Sequence, residues 1–142
     1  MAYKKALMPV SGKSHTKRDA LALEQALQIV QEGGEICFLY CVGEVSKRIS
    51  VDAQKKLVAE AAAKAEELFQ PLVERVKSAG FAYNTRIVQG SPARMIPTVA
   101  SEEACNVVVM YTDGRDTLGK LFTGSVTERV LQTLATPLLI VH

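Results

Sequence analysis

The sequence predicts a single α/β domain over residues 1–142, built on a five-stranded parallel sheet that is doubly wound, with helices on both faces. Three observations predict this fold. Apolar residues form five short runs, the runs are apolar on both faces, and amphipathic helical patterns separate them. Such strands belong in a sheet covered on both sides, and right-handed helical crossovers make them parallel. We expect the strand order 3-2-1-4-5, with strand one central.

The strands follow directly from the apolar runs, and the first helix from its end signals. Thr16 and Asp19 have the spacing of a capping box, so the helix should begin there, and Gly33-Gly34 should end it. The five expected strands are Ala6–Val10, Ile36–Val42, Tyr83–Val88, Asn106–Tyr111 and Leu138–Val141.

Three further helices complete the pattern. The second is expected over Ser50–Ala79, with a kink at Pro71 because proline removes a backbone donor. The third begins at Ser91-Pro92, which places proline at the first position that helices favour. The fourth begins at Ser125 and leads into the last strand.

Composition excludes several classes of function. A formal net charge of +2 is too small to predict nucleic-acid or membrane binding, and no apolar run has the length of a membrane span. The first residues do not resemble a signal peptide, so we expect a cytoplasmic protein. We interpret Cys37, Cys41 and Cys105 as small buried residues, with Cys37 and Cys41 on the same side of one strand. No metal site is expected.

In a doubly wound sheet, ligands bind beyond the carboxyl ends of the strands. The loops at those ends are residues 11–16, 43–50, 89–92 and 112–124. Gly12-Lys13-Ser14 in the first loop has part of the pattern of a phosphate-binding P-loop. The further glycine that a P-loop requires is replaced by Leu7, so we reject that interpretation.

The loop that ends at Ser125 is a better candidate, because a helix N-terminus attracts anions. Gly124 would let the backbone approach a ligand closely, Ser125 offers a hydroxyl, and Arg115 and Lys120 add positive charge. The alternative is an ordinary surface loop that ends in a helix cap.

Several motifs together resemble the universal stress protein family, over essentially the whole chain. They are Pro9-Val10 followed by Gly12, then Gly90-Ser91-Pro92-Ala93, then Gly114 with nine residues before Gly124-Ser125-Val126, and the closing run from Glu128 to Val141. The resemblance implies a small regulatory domain that responds to stress. In the nucleotide-binding branch of that family, the phosphates of ATP lie against a loop of the form Gly, two residues, Gly, nine residues, Gly, then Ser or Thr.

This chain departs from that branch at two positions. Tyr111 stands where the branch has the first glycine of the loop, and Ser11 stands where it has an aspartate after the first strand. We therefore expect weak or absent ATP binding. The alternative is an ATP-binding member, with magnesium and slow hydrolysis. The nucleotide site that the resemblance implies comprises Pro9, Val10, Ser11, Val42, Gly90, Gly114, Arg115, Gly124, Ser125 and Val126.

Other chemistries have less support. The loop after strand one weakly resembles that of ATP pyrophosphatases, but Lys13 and His15 replace its second glycine and its aspartate. Ser14 and His15 have no orienting acid, so we predict no catalytic residues.

The apolar sequence of the last strand predicts that the chain binds a partner. Its residues Leu138, Leu139, Ile140 and Val141 should lie at a sheet edge, and an apolar edge strand needs a cover. The resemblance implies that the cover is the same strand of a second copy, in a homodimer.

Overall fold

The computed structural model of the chain describes residues 3–12, 16–112 and 125–142, with Ser125 and Thr127 described by their backbone alone. All five strands lie in one parallel sheet in the order β3-β2-β1-β4-β5, which confirms the predicted fold. In chain order the elements are β1 (Tyr3–Pro9), α1 (Thr16–Ile29), β2 (Val30–Val42), α2 (Val51–Ser78), β3 (Ala82–Gln89), α3 (Pro92–Glu102), β4 (Val107–Tyr111), α4 (Ser125–Thr133) and β5 (Leu138–Val141).

The sheet separates two apolar cores, because alternate residues of each strand face opposite sides. One core lies between the sheet and helices α1 and α2, and contains Met8, Phe38 and Phe69. We call this side the α1–α2 face. The other side is the α3–α4 face, where Leu7, Leu39 and Ile96 pack together. Burying each of these side chains contributes about 1.5–3 kcal/mol, so the two cores account for most of the stabilisation.

The end of the first helix differs from the prediction. Helix α1 ends at Ile29, and β2 begins at Val30, so Gly33 and Gly34 lie inside a strand. A Cβ atom at Gly34 would meet the Val30 side chain and would lie 2.7 Å from the carbonyl oxygen of Lys4. The glycine is therefore required where β1 and an irregular stretch of β2 approach each other, and it does not act as a helix stop.

Helix α2 agrees with its predicted bounds. The Ser50 hydroxyl caps it by accepting a hydrogen bond from the Ala53 N–H at 3.1 Å, and the helix continues through Pro71. In its first half, residues 51–64, no residue is buried, and burial begins at Ala65. The described helices include none that is long and apolar enough to cross a membrane.

The cysteines lie on the α3–α4 face. Cys37 and Cys105 are buried, as predicted. The neighbouring Cys105 thiol and burial raise the pKa of Cys37. Cys41 packs on the same side of β2 and is half-buried, and burial raises the pKa of its thiol to about 11.

Candidate functional site

The carboxyl ends of the strands meet at one edge of the sheet, and several predicted site residues lie there. Pro9 ends β1, and the N–H of Val10 donates to the carbonyl oxygen of Leu39 at 2.8 Å. Val42 ends β2, and its carbonyl oxygen accepts from the N–H of Gly90 at 2.9 Å. These bonds bring the ends of β1, β2 and β3 together, where a doubly wound sheet binds ligands.

Gly90 lies at the sharp turn from β3 into α3. Its φ angle of +145° is one that side chains rarely adopt, and a Cβ atom there would lie 2.9 Å from both the Arg94 guanidinium and the Met95 side chain. A glycine is therefore needed at this turn. Ser91, the N-cap residue of α3, makes no cap hydrogen bond with its side chain.

The loop after β1 is attached to α1 by a buried carboxylate. The Ser11 N–H donates to the two carboxylate oxygens of Asp19, at 3.3 and 3.1 Å, and Asp19 is only 3% exposed. Thr16 is the first helical residue of α1. Sequence reasoning missed this role of Asp19. The sequence did contain a sign of this role, because Asp19 is an acidic residue on the helix face that also carries the apolar residues Ala22 and Leu23.

Tyr111 fills the end of β4 on the α1–α2 face. It pairs with Val141 of β5, is half-buried, and packs against the core beneath α1. The Arg18 guanidinium of α1 lies over its ring, 5.6 Å from the ring centre, which is the geometry of a cation–π interaction. A large side chain held by a cation thus occupies the position where the nucleotide-binding branch has a glycine.

Part of the predicted site cannot be placed. Gly114, Arg115 and Gly124 lie outside the described residues. Ser125 is the first residue of α4, and Val126 beside it is 37% exposed. Among residues 3–12, 16–112 and 125–142, no group of three or more His, Cys, Asp or Glu side chains could hold a metal ion.

Comparison with known proteins places this fold in a family. A universal stress protein of Methanocaldococcus jannaschii is 27% identical over 143 residues, which is 98% of this chain and 82% of that protein. The solved structure of another protein of that organism superposes with a TM-score of 0.84 at 23% identity, covering 99% of this chain and 96% of the other.

Two solved universal stress proteins with this fold contain nucleotides. One is from Archaeoglobus fulgidus, is in complex with dAMP, and superposes with a TM-score of 0.67 at 17% identity over the full length of both chains. The other is in complex with cAMP, with a TM-score of 0.72 at 21% identity, and covers 100% of this chain and 99% of that one. The model of the universal stress protein family matches residues 2–142, and this chain therefore belongs to that family.

Proposed function

We propose that this chain is a regulatory stress-response domain that acts as a homodimer in the cytoplasm and binds ATP weakly or not at all. It works through partner proteins or ligands rather than by turnover, without nucleic-acid or membrane partners. The observation that carries the proposal is the Tyr111 ring beneath Arg18, at the end of β4.

The Tyr111 ring opposes nucleotide binding by occupying space and by being held in place. A half-buried cation–π contact is worth about 0.5–2 kcal/mol, and its loss would add to the cost of moving the ring out of the core. A nucleotide that needs the space of a glycine would have to displace the ring from the core and from Arg18. The position of this ring supports weak or absent binding of ATP.

Ser11 adds a second obstacle on the neighbouring strand. Its N–H is already bonded to Asp19, and its hydroxyl has neither the charge nor the reach of the aspartate in the nucleotide-binding branch. Ser11 after β1 and Tyr111 at the end of β4 therefore both support weak or absent nucleotide binding.

The alternative is that the chain binds ATP with magnesium, using Gly114, Gly124 and Ser125, and hydrolyses it slowly. The dAMP and cAMP complexes of other universal stress proteins favour this alternative. In that case the Tyr111 ring would have to rotate out of the cleft.

Calorimetric titration of the full chain with ATP and AMP, with and without magnesium, separates the two proposals. We expect no sub-micromolar affinity, and finding it in the wild-type protein would support the ATP-binding alternative. The double variant Tyr111→Gly with Ser11→Asp should bind more tightly than the two single variants would predict by addition, because the two positions border one pocket.

A matched control is available at the other end of the sheet. Tyr83 also lies beneath a cation, with the Lys77 ammonium 5.3 Å from its ring centre, but it belongs to the start of edge strand β3. Tyr83→Gly removes a similar contact far from the carboxyl ends of the strands. It should leave nucleotide affinity unchanged, so a gain in this variant would indicate a general loosening of the fold.

A further inference from the structure

A groove of about 560 Å³ lies between α3 and α4, and we call it the outer groove. The buried side chains of Ile96, Val99 and Val130 pack these two helices onto the sheet. The described residues that line the groove are exposed or half-buried, so the groove opens on the side of the helices that faces away from the sheet. Its volume lies in the range of roughly 300–1,000 Å³ that is typical of small-molecule sites.

The outer groove carries positive charge on both of its walls. Arg94 comes from α3 and Arg129 from α4, and both are exposed. Within residues 3–12, 16–112 and 125–142, neither arginine forms an ion pair, and the described lining includes no Asp or Glu. The first turn of α3, which contains Arg94, also carries no acidic residue. The two guanidinium groups are therefore available to an anionic ligand.

Two other arginines show how this chain uses the same side chain for structure. Arg75 of α2 pairs with Glu24 of α1 at 2.7 Å, and Arg86 of β3 pairs with Glu103 at 2.8 Å. Each of those pairs links two parts of the fold. The arginines of the outer groove form no such link within the described residues, so a structural ion pair does not account for their placement on facing walls.

The other polar groups of the outer groove suit the hydroxyl groups of a ligand. The hydroxyls of Thr98 and Thr133 each donate to the carbonyl oxygen four residues earlier in their helix, at 2.9 and 3.3 Å. Their protons are thus used, while their oxygens can still accept from a ligand hydroxyl. The side-chain amide of Gln132 can both donate and accept.

We propose that the outer groove binds a phosphate monoester of a small hydroxylated molecule, such as a sugar phosphate. The phosphate lies between Arg94 and Arg129, and the hydroxyl groups lie against Thr98, Gln132 and Thr133. A guanidinium group can donate two parallel hydrogen bonds to a phosphate, which carries nearly two negative charges at neutral pH. The match is therefore one of charge and of hydrogen bonding.

The outer groove is separate from the residue that opposes nucleotide binding. Tyr111 packs against the core of the α1–α2 face, whereas α3 and α4 cover the other face of the sheet. The proposal therefore does not depend on whether the chain binds ATP.

The proposal is tested with three probes that share one sugar: glucose 6-phosphate, glucose 6-sulfate and glucose. At neutral pH the phosphate carries nearly two negative charges, the sulfate one and glucose none. Amide NMR spectra of the full chain are recorded during titration with each probe. We expect saturable shifts at Ala93, Thr98 and Thr133 with glucose 6-phosphate, about tenfold weaker binding of the sulfate, and no saturable binding of glucose.

Substitutions that remove one positive charge form a matched set. Arg94→Gln and Arg129→Gln should each weaken binding of glucose 6-phosphate about tenfold or more, because each removes hydrogen bonds from a charged donor. Arg48→Gln removes the same charge from an exposed arginine outside the groove and should change the affinity less than about twofold. Tyr111→Gly should also leave the affinity unchanged. Thermal unfolding of each variant checks that it remains folded.

Four outcomes would overturn the proposal. They are an absence of saturable shifts in α3 and α4, equal affinity for the phosphate and the sulfate, and a loss in Arg48→Gln as large as that in Arg94→Gln. The fourth is a change of affinity in Tyr111→Gly, which would place the phosphate in the nucleotide cleft. ATP titration measures the proposed function independently, so the failure of one proposal is distinguishable from the failure of the other.

Discussion

Glu103, between α3 and β4, accepts hydrogen bonds from three side chains on two strands, β1 and β3. Its carboxylate accepts from Asn84 at 2.7 Å, from Arg86 at 2.8 Å and from Lys5 at 3.2 Å. These bonds hold the pKa of Glu103 below its ordinary value, and the bond from Arg86 has the largest effect. The carboxylate therefore links edge strand β3 to central strand β1 in a partly buried setting.

Glu103→Gln should destabilise the protein by about 1–3 kcal/mol, because it leaves two partly buried cations without their shared carboxylate. Urea unfolding at neutral pH measures the loss. Glu102→Gln is the matched control, since Glu102 is more exposed and accepts one bond within the described residues, from Arg86 at 3.2 Å. This control substitution should lower the free energy of unfolding by less than about 1 kcal/mol. Equal losses in the two variants would contradict the role given to Glu103.

The same carboxylate predicts a dependence on pH. Its pKa in the folded protein lies below the ordinary value of 4.5, so its stabilising contribution is complete above that value and is lost as the pH falls through the folded pKa. The difference in unfolding free energy between wild type and Glu103→Gln should therefore be constant at neutral pH and shrink in acid. A difference that grows in acid would contradict this assignment.

Gly90→Ala should destabilise the fold by about 1–3 kcal/mol, because it places a side chain at a positive φ angle and against Arg94 and Met95. Gly43→Ala is the matched control. It lies at the same edge of the sheet, where a Cβ atom would have no neighbour within 4 Å. Thermal unfolding of the two variants should show a clear loss only at position 90.

The secondary structure shows which strands local sequence patterns predict correctly and which they do not. β5 matches its prediction residue for residue. β3 is one residue longer than predicted at each end, and β4 begins one residue later than predicted. The start of β2 was missed because Gly33-Gly34 has the local form of a helix stop. What decides its conformation is the backbone of Lys4, which is far away in the sequence.

The two halves of α2 should differ in stability. Residues 51–64 include no buried residue, so that half can open without disturbing the core. Ser50→Ala removes the hydroxyl that caps the helix, worth about 1 kcal/mol, and should speed hydrogen exchange in the first turns while leaving the global unfolding midpoint almost unchanged. Ser50→Asp restores a cap and should restore protection. A shift of the global midpoint in Ser50→Ala would show that this half belongs to the cooperative unit.

The proposed homodimer depends on β5, which pairs with β4 on one side and, within the described residues, with no strand on the other. Ile140→Lys should produce a monomer, because an unpaired ammonium would have to be buried at the interface. Leu131→Lys, at an exposed position of α4, adds the same charge and should remain dimeric. Sedimentation measures the oligomeric state of each protein. A monomeric wild-type protein, or an Ile140→Lys variant that remains dimeric, would refute the edge-strand dimer.

The candidate site is predictable only in part, because it is assembled by the whole molecule. Strand ends can be located from apolar runs, so the positions of Val10, Val42 and Gly90 at the sheet edge follow from the sequence. The contacts of Arg18 with Tyr111 and of Asp19 with Ser11 depend on how α1 packs against β1 and β4. No local pattern encodes that placement.

The buried thiol of Cys37 makes it possible to follow unfolding of the chain without a probe. Cys37 is fully buried in β2, and its raised pKa keeps it protonated, whereas alkylating reagents attack the thiolate. Iodoacetamide should therefore modify Cys37 only in molecules whose sheet has opened. Mass spectrometry of the modified fraction over time would report the population of the open state without denaturant when reclosing is faster than alkylation. Modification of Cys37 as fast as that of a free thiol would contradict this expectation. A compound that stabilises the folded state would slow the modification of this thiol, so the same assay can screen for ligands of the folded protein.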